Sequence, residues 1–188
     1  MKRLIVIEGF DRSGKDSLMK DLADSNLLPN TWVYFNDLEG LPKYDKEQED
    51  FLVWLNRLIQ MQVNKLNELF DSYDTIIMTR FIVSDEVYST LFNREHTVIK
   101  YIDQLRKDVQ IINYCLLFST WVDYLKRLEM LEVDEAQYDN KDFYSINKLY
   151  KDLLSNYEES RIYYVHYNTS RLDILIDFIK YVYKQELQ

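Results

Sequence analysis

Cysteine, histidine, proline and glycine are all scarce in this sequence of 188 residues. A single cysteine, Cys115, excludes an internal disulfide and a cysteine-rich zinc site, and it is typical of a reducing compartment. The presence of only two histidines, His96 and His166, argues against a multi-histidine metal site. Two prolines and three glycines provide few breaks, which predicts long helices joined by short connections.

Long hydrophobic runs and an excess of positive charge are also missing. A membrane-spanning helix needs roughly 20 mostly apolar residues, whereas runs such as 114–118 are far shorter and the run at 4–7 stops at Glu8. The net charge is −9, from 23 basic and 32 acidic residues. Nucleic acids bind clustered Lys and Arg, so we expect no nucleic-acid partner, although a local positive pocket for a small phosphorylated ligand stays possible. We therefore expect a cytoplasmic protein without membrane contact.

The apolar content of 47% suffices for one well-packed domain spanning 1–188. Apolar runs and helical periodicity alternate along the chain, which predicts an α/β fold of three α/β/α layers around a five-stranded parallel sheet. A polar, acidic stretch at about 129–141 predicts a lid. The predicted strands are 4–7, 32–35, 75–78, 111–118 and 162–167, and the predicted helices are 15–25, 51–70, 98–109, 122–130, 142–157 and 172–183.

The segment from Gly9 to Lys15 matches the phosphate-loop pattern G-x-x-x-x-G-K between a predicted strand and a predicted helix. With three glycines in the chain, roughly 0.004 such matches are expected by chance. Glycines let backbone amides approach phosphate oxygens, and Lys15 adds a positive charge for the β- and γ-phosphates. We therefore predict that ATP binds here, through Gly9, Asp11, Ser13, Gly14, Lys15, Asp16 and Ser17.

The motif departs from its usual form after Lys15, where a Ser or Thr hydroxyl normally binds Mg²⁺. Here Asp16 occupies that position and Ser17 follows. An acidic residue also favours the first turn of a helix, so Asp16 has a purely structural interpretation. In the functional interpretation its carboxylate approaches Mg²⁺ directly or through water, which makes Asp16 and Ser17 the candidate metal ligands.

Three blocks of sequence resemble thymidylate kinases, which belong to the P-loop nucleoside monophosphate kinases. Residues 4–15 are similar to the E-G-x-D-R-x-G-K opening of the branch with an arginine in the phosphate loop. Residues 79–88 are similar to D-R-Y-x-x-S-x-x-A-Y, and residues 134–139 more weakly to an E-R-Y-E lid. The resemblance covers nearly the whole chain and implies ATP and Mg²⁺ as cofactors, nucleotide substrates and a homodimer.

The resemblance also implies roles for three residues in catalysis and acceptor binding. Arg12 would neutralise charge on the transferring phosphoryl group, since the stretch 129–140 contains no Arg or Lys to do so. Arg80 would hold the 5′-phosphate of the acceptor through its planar fork. Asp11 would accept a hydrogen bond from the sugar 3′-hydroxyl, although it could equally stabilise its own turn.

Further contacts implied by the resemblance are less specific. Ser84 and Tyr88 would share a helix face and point at the nucleoside, while Tyr88 could instead be a core aromatic. Tyr138 would close over the sugar or base from the lid. Arg127 would stack on the donor base, or would be an ordinary exposed helix charge.

Several positions depart from the family pattern. The family's Asp before the arginine is Thr79 here, and its Ser or Thr after the lysine is Asp16, so we hypothesise a reciprocal exchange of metal-binding oxygens. The lid arginine is replaced by Gln137, and the acceptor motif with Pro and Arg is unrecognisable near Pro42. Because these residues are missing, the sequence does not identify the base of the acceptor.

The favoured function is therefore ATP- and Mg²⁺-dependent phosphorylation of a deoxynucleoside monophosphate, dTMP or dUMP. A deoxynucleoside kinase is the first alternative. It would need a carboxylate base, which Thr79 cannot supply but Glu8 could. The second alternative is a nucleotide-binding regulator without kinase activity, as the changes at Asp16 and Thr79 would allow.

Overall fold

The computed structural model describes residues 2–25, 29, 32–35, 50–133 and 138–186. Strands and helices alternate along these residues, as the sequence predicts. The strands are β1 (Lys2–Gly9), β2 (Trp32–Phe35), β3 (Thr75–Thr79), β4 (Val109–Phe118) and β5 (Ser160–Val165). The helices are α1 (Lys15–Ser25), α2 (Phe51–Ser72), α3 (Ile82–Leu91), α4 (Ile99–Ile102), α5 (Trp121–Met130), α6 (Asn140–Leu154) and α7 (Arg171–Glu186).

The five strands form one parallel sheet in the order β2-β3-β1-β4-β5. β1 is central, and its Ile5 lies opposite Ile77 of β3 and Ile112 of β4. A strand covered on both faces needs apolar side chains at every position, which explains the unbroken apolar run in β1. The predicted five-stranded parallel sheet is confirmed, and the carboxyl ends of β1, β3 and β4 lie along one edge.

Alternate residues of β1 enter two separate hydrophobic clusters. Ile5 and Ile7 pack with side chains from α1, α5, α6 and α7, whereas Leu4 and Val6 pack with α2. These four side chains are at most 1% exposed, and burial of such a side chain contributes roughly 1.5–3 kcal/mol. Helices therefore cover both faces of the sheet, which gives the predicted three layers.

The predicted helix at 98–109 is wrong over most of its length. Only α4 is helical there, and β4 already begins at Val109. The side chain of Asn67 on α2 donates to the carbonyl of Gln104 at 2.9 Å and accepts from the amide of Arg106 at 3.1 Å. These bonds from a distant side chain satisfy backbone groups of residues 104 and 106, so the segment turns although its apolar spacing is helical.

The predicted lid at about 129–141 coincides with the connection between α5 and α6. Residues 131–133 and 138–139 lie in this connection, while 134–137, including Gln137, are outside the described residues. Pro42 is also outside them. No helix among the described residues is long and apolar enough to cross a membrane.

Candidate active site

The phosphate loop follows β1 directly and depends on two glycines with positive φ. Gly9 has φ +128°, and a Cβ placed there would lie 2.1 Å from the carbonyl oxygen of Leu116 in β4. Gly14 has φ +105°, but its added Cβ would meet only Ile174 at an ordinary 3.7 Å. Gly9 is therefore required by close backbone packing, and Gly14 by its backbone conformation.

Backbone amides at the start of α1 provide the donors of the loop. The first bond into this helix runs from the amide of Leu18 to the carbonyl of Gly14 at 2.9 Å. Within the described parts of the chain, the amides of residues 14–17 have no backbone acceptor. Ser13 is buried, and its hydroxyl likewise has no partner there. Amides at a helix N-terminus form an anion site, as the motif predicts.

The Lys15 side chain is buried within this loop. Its Nζ donates to the carbonyl oxygens of Gly9 at 2.8 Å and Phe10 at 2.5 Å. Burial lowers the pKa of Lys15 to about 8, and repulsion by Arg80 acts in the same direction. A bound phosphate would therefore compete with two carbonyl groups for an ammonium that is already held at the loop.

Asp11 and Arg80 bring the loop and the end of β3 together. Arg80 has φ 55°, donates its amide to Ile7 at 3.1 Å, and donates from Nη2 to Oδ1 of Asp11 at 3.1 Å. The other Asp11 oxygen lies 3.5 Å from Nε of Arg12. Asp11 therefore lies between two guanidinium groups, in a contact that the prediction of a sugar-binding role did not include.

Glu8 anchors the start of α3 beside this pair. Its buried carboxylate accepts from the amides of Phe81 at 3.1 Å, Val83 at 3.2 Å and Ser84 at 3.2 Å. Burial raises the pKa of Glu8, although hydrogen bonds from Ser84 and Phe81 oppose this effect. Its oxygens are engaged by the helix, so the structure does not favour Glu8 as a base for a hydroxyl acceptor.

Ser84 belongs to the same buried network. Its hydroxyl donates to Glu8 and lies 2.9 Å from the hydroxyl of Tyr150, which donates to the carbonyl of Gly9 at 3.1 Å. The side chain is therefore surrounded by protein partners. This placement corrects the expectation that Ser84 points at a nucleoside, because Ser84 supports the site from within the core.

A cavity of about 520 Å³ adjoins the Asp11–Arg80 pair. Tyr88 stacks with Phe92 at 6.3 Å and with Tyr138 at 6.4 Å between ring centroids, which forms an aromatic wall. Such a wall suits the flat ring of a base. The lining residues are Asp11, Phe51, Arg80, Tyr88, Phe92, Arg94 and Tyr138.

The cavity unites four of the five residues that the resemblance assigns to the acceptor. Asp11, Arg80, Tyr88 and Tyr138 line it, and Ser84 does not. Their roles in binding stay predictions. Sequence reasoning missed Phe51, Phe92 and Arg94, because none of these lies in a recognisable motif and only the packing of α2 and α3 brings them together.

Arg127 lies close to the phosphate loop. It shares a narrow groove with Gly14 and Ser17, and its buried Nε has no partner among the residues described. Arg171 of α7 lines the same groove and forms a salt bridge with Asp21. Arg127 is thus near the loop, as expected for a donor contact, while Arg171 was missed by sequence reasoning.

The candidate metal ligands fit a magnesium ion in their chemistry. Asp16 is exposed in the first turn of α1, next to Ser17, and its charge acts on both Lys15 and Arg80. Mg²⁺ prefers a few protein oxygens supplemented by phosphates and water. The described residues contain no group of three His, Cys, Asp or Glu that could hold a metal ion.

The sheet order, the phosphate loop and the adjoining cavity together define the P-loop nucleoside monophosphate kinase fold. Comparison with solved structures supports this. Thymidylate kinase from Candida albicans aligns with a TM-score of 0.62 and 15% identity, over 98% of this chain and 92% of that one. Thymidylate kinase from Ehrlichia chaffeensis aligns with 0.61 and 16%, over 97% and 99%.

A deoxyadenosine kinase from M. mycoides, solved with dCMP and dCDP bound, is also similar. It aligns with a TM-score of 0.57 and 15% identity, over 96% of this chain and 99% of that one. No family model and no curated protein sequence matches the chain. The likeness thus establishes the fold, which is shared by kinases that are named for different acceptors.

Proposed function

We propose that this protein is an ATP-dependent phosphotransferase that converts a deoxynucleoside monophosphate, dTMP or dUMP, to the diphosphate. The observation that carries the proposal is the position of Asp11, which belongs to the phosphate loop and also lines the aromatic cavity through its pair with Arg80. An anion site and a site for a flat ring therefore share a boundary, as a reaction between two nucleotides requires.

In this mechanism the chain supplies positioning and positive charge. The loop amides and Lys15 bind the phosphates of ATP, and Arg80 holds the acceptor phosphate near them. An oxygen of the acceptor phosphate attacks the γ-phosphorus, and the bond from that phosphorus to the β–γ bridging oxygen breaks. ADP leaves with the bonding electrons. Arg12 stabilises the charge on the transferred group.

Asp16 and Ser17 would hold Mg²⁺, which when bound neutralises phosphate charge. Asp16→Asn should raise the Mg²⁺ concentration that half-maximal activity requires. Asp24→Asn, on the exposed side of the same helix, is the matched control. An unchanged Mg²⁺ requirement in Asp16→Asn would refute the proposed exchange of ligands with Thr79.

A monophosphate acceptor fits the site better than a hydroxyl acceptor. A phosphate oxygen is already anionic and needs no base, whereas a hydroxyl needs a carboxylate to take its proton. Glu8 is buried under α3, and Asp11 is engaged by guanidinium groups on both sides. Thr79 supplies no carboxylate at the end of β3.

The decisive experiment measures ADP release with every deoxynucleoside monophosphate and every deoxynucleoside as acceptor. We expect turnover with monophosphates, foremost dTMP and dUMP. Turnover confined to deoxynucleosides would make the protein a deoxynucleoside kinase. ATP binding without turnover of any acceptor would make it a regulator, and either result would overturn the proposal.

Arg80→Lys tests the assignment of the acceptor phosphate. Lysine keeps the charge but loses the planar fork, so the KM for the monophosphate should rise about tenfold or more while the KM for ATP changes little. Arg106→Lys is a suitable control, since Arg106 forms exposed salt bridges with Asp71 and Asp108. An equal change in both KM values would argue against the assignment.

A further inference from the structure

Among the cavity residues of the described structure, Arg94 has buried side-chain hydrogen-bond donors without a partner. It follows α3, and its amide donates to the carbonyl of Ser89 at 2.9 Å. Its Nε and Nη1 are buried, and neither has a hydrogen-bond partner among the residues described. Buried donors without partners are costly to maintain, which points to a partner that arrives with a ligand.

The guanidinium of Arg94 is held in place from two directions. It lies 5.5 Å from the ring centroid of Phe51, a cation–π contact. Its Nη2 lies 3.6 Å from Oδ1 of Asp85. Asp85 is itself fixed, since its other oxygen accepts from the amide of Val98 at 2.9 Å. The guanidinium of Arg94 therefore has a set orientation at the wall of the cavity.

The charge around Arg94 differs from the charge around Arg80. Asp85 balances Arg94, and it is the charged group that acts on the pKa of Arg94. Arg80 is also paired with a carboxylate, Asp11 at 3.1 Å, but two further cations, Lys15 and Arg12, lie in the same region. A charge-balanced arginine beside aromatic side chains suits an uncharged polar group, whereas the region around Arg80 suits a phosphate.

We propose that Arg94 recognises the base of the acceptor nucleotide and selects bases that carry a carbonyl oxygen over bases that carry an amino group in the same position. This inference rests on the proposed function. Arginine is only a donor, so it can bind O4 of uracil or thymine and O6 of guanine. The amino groups of cytosine and adenine are donors as well, and would leave the buried N–H groups unpaired.

The sharpest test compares dUMP with dCMP, because these nucleotides differ only at the edge of the base. Dissociation constants from calorimetry and kcat/KM from ADP release should both favour dUMP by about tenfold or more in the wild type. The pair dGMP and dAMP should show the same direction. A wild-type preference for dCMP would overturn the inference without any variant.

Variants then assign the preference to the side chain. Arg94→Ala should bring the ratio of dUMP to dCMP affinity close to 1. Arg94→Gln, which can both donate and accept, should shift the ratio toward dCMP. Arg106→Ala, which removes an exposed arginine outside the cavity, should leave the ratio unchanged. Circular dichroism and the Tm of each variant establish that it is folded.

The failures of the two proposals can be told apart. If no acceptor is bound or phosphorylated by the wild type, the proposed function fails. If acceptors are used but Arg94→Ala weakens dUMP and dCMP equally, only the assignment of Arg94 fails. Deoxyuridine, which lacks the phosphate, tests whether Arg94 binds the phosphate instead of the base. If Arg94→Ala lowers the affinity for dUMP but not for deoxyuridine, Arg94 binds the phosphate and the inference is overturned.

Discussion

The phosphate loop and the adjoining aromatic cavity are neighbours built on opposite principles. The loop is contiguous, from Gly9 to Ser17, and its shape is fixed by backbone conformation and by contact with β4. The cavity collects side chains from residue 11 to residue 138, carried by several elements. Backbone geometry therefore determines the loop, and side-chain chemistry determines the cavity. Substitutions should accordingly abolish function in the loop and retune it in the cavity.

The largest effect should come from the one side chain on which the loop depends. Lys15→Ala should lower kcat by about 10³-fold, because the charge next to the transferred phosphate is lost. ADP release at saturating ATP measures this. Lys20→Ala, on the exposed side of α1, is the control and should stay near the wild-type rate. Comparable rates for the two variants would show that the loop does not act on phosphate.

The next largest effect should be a difference in the free energy of unfolding between substitutions of Gly9 and of Gly14. Gly9→Ala should lower the free energy of unfolding by about 3 kcal/mol or more, since its Cβ would lie 2.1 Å from the Leu116 carbonyl. Gly14→Ala has space for its Cβ and should lose only about 1–2 kcal/mol from strain. Urea unfolding of both variants gives the comparison. Equal losses would mean that φ alone accounts for both positions.

A cavity substitution should change acceptor binding without affecting ATP. Phe92 is 60% exposed and stacks on Tyr88, so Phe92→Ala should fold normally and raise the KM of the acceptor about tenfold. Tyr144→Ala, at a similarly exposed aromatic outside the cavity, is the control. Steady-state kinetics with each substrate varied in turn measures both KM values. A rise in the KM of ATP instead of the KM of the acceptor would contradict the assignment of the cavity to the acceptor.

The smallest expected effect is a pH dependence confined to the loop. The pKa of Lys15 is lowered to about 8, so its charge is lost as pH rises through that value. The affinity for ATP should therefore fall several-fold above pH 8. The free energy of unfolding without ATP should rise as the pH increases above 8, because the unfolded chain, with a lysine pKa near the ordinary 10.5, binds the proton more tightly.

Calorimetry and urea unfolding at several pH values would detect these opposite trends. Lys15→Met should remove both of them, whereas Lys20→Met should retain them. If ATP affinity and stability changed in the same direction in the wild type, the trends would have to come from other groups than Lys15.

The comparison of the two regions also explains what the sequence could predict. The sheet follows from apolar runs, and the loop from a contiguous motif, so local patterns were sufficient for both. The resemblance singled out both Asp11 and Arg80, since both residues stand in recognisable blocks, but it did not predict the salt bridge between them. The predicted homodimer, the cytoplasmic location and the Mg²⁺ ligands stay predictions.

Sequence reasoning failed where long-range contacts decide. Arg94 and Phe51 have no motif, and only the docking of α2 against the end of α3 brings them together. Ser84 matches the family pattern, yet a carboxylate 76 positions away engages its hydroxyl. Asn67 likewise bonds to backbone groups of Gln104 and Arg106, and the helix ends after α4 although the apolar periodicity of the sequence continues. No short stretch of sequence contains information about contacts between residues so far apart along the chain.

The buried hydroxyl of Tyr150 gives α6 a mechanical connection to the phosphate loop. α6 follows the connection in which Tyr138 covers the cavity, and Tyr150 on that helix is bonded to the carbonyl of Gly9. The same carbonyl accepts from Lys15. A rotation of α6 would therefore have to break this bond or move the loop with it. A displacement of α6 would thus reach the ammonium group of Lys15 through a single shared oxygen atom.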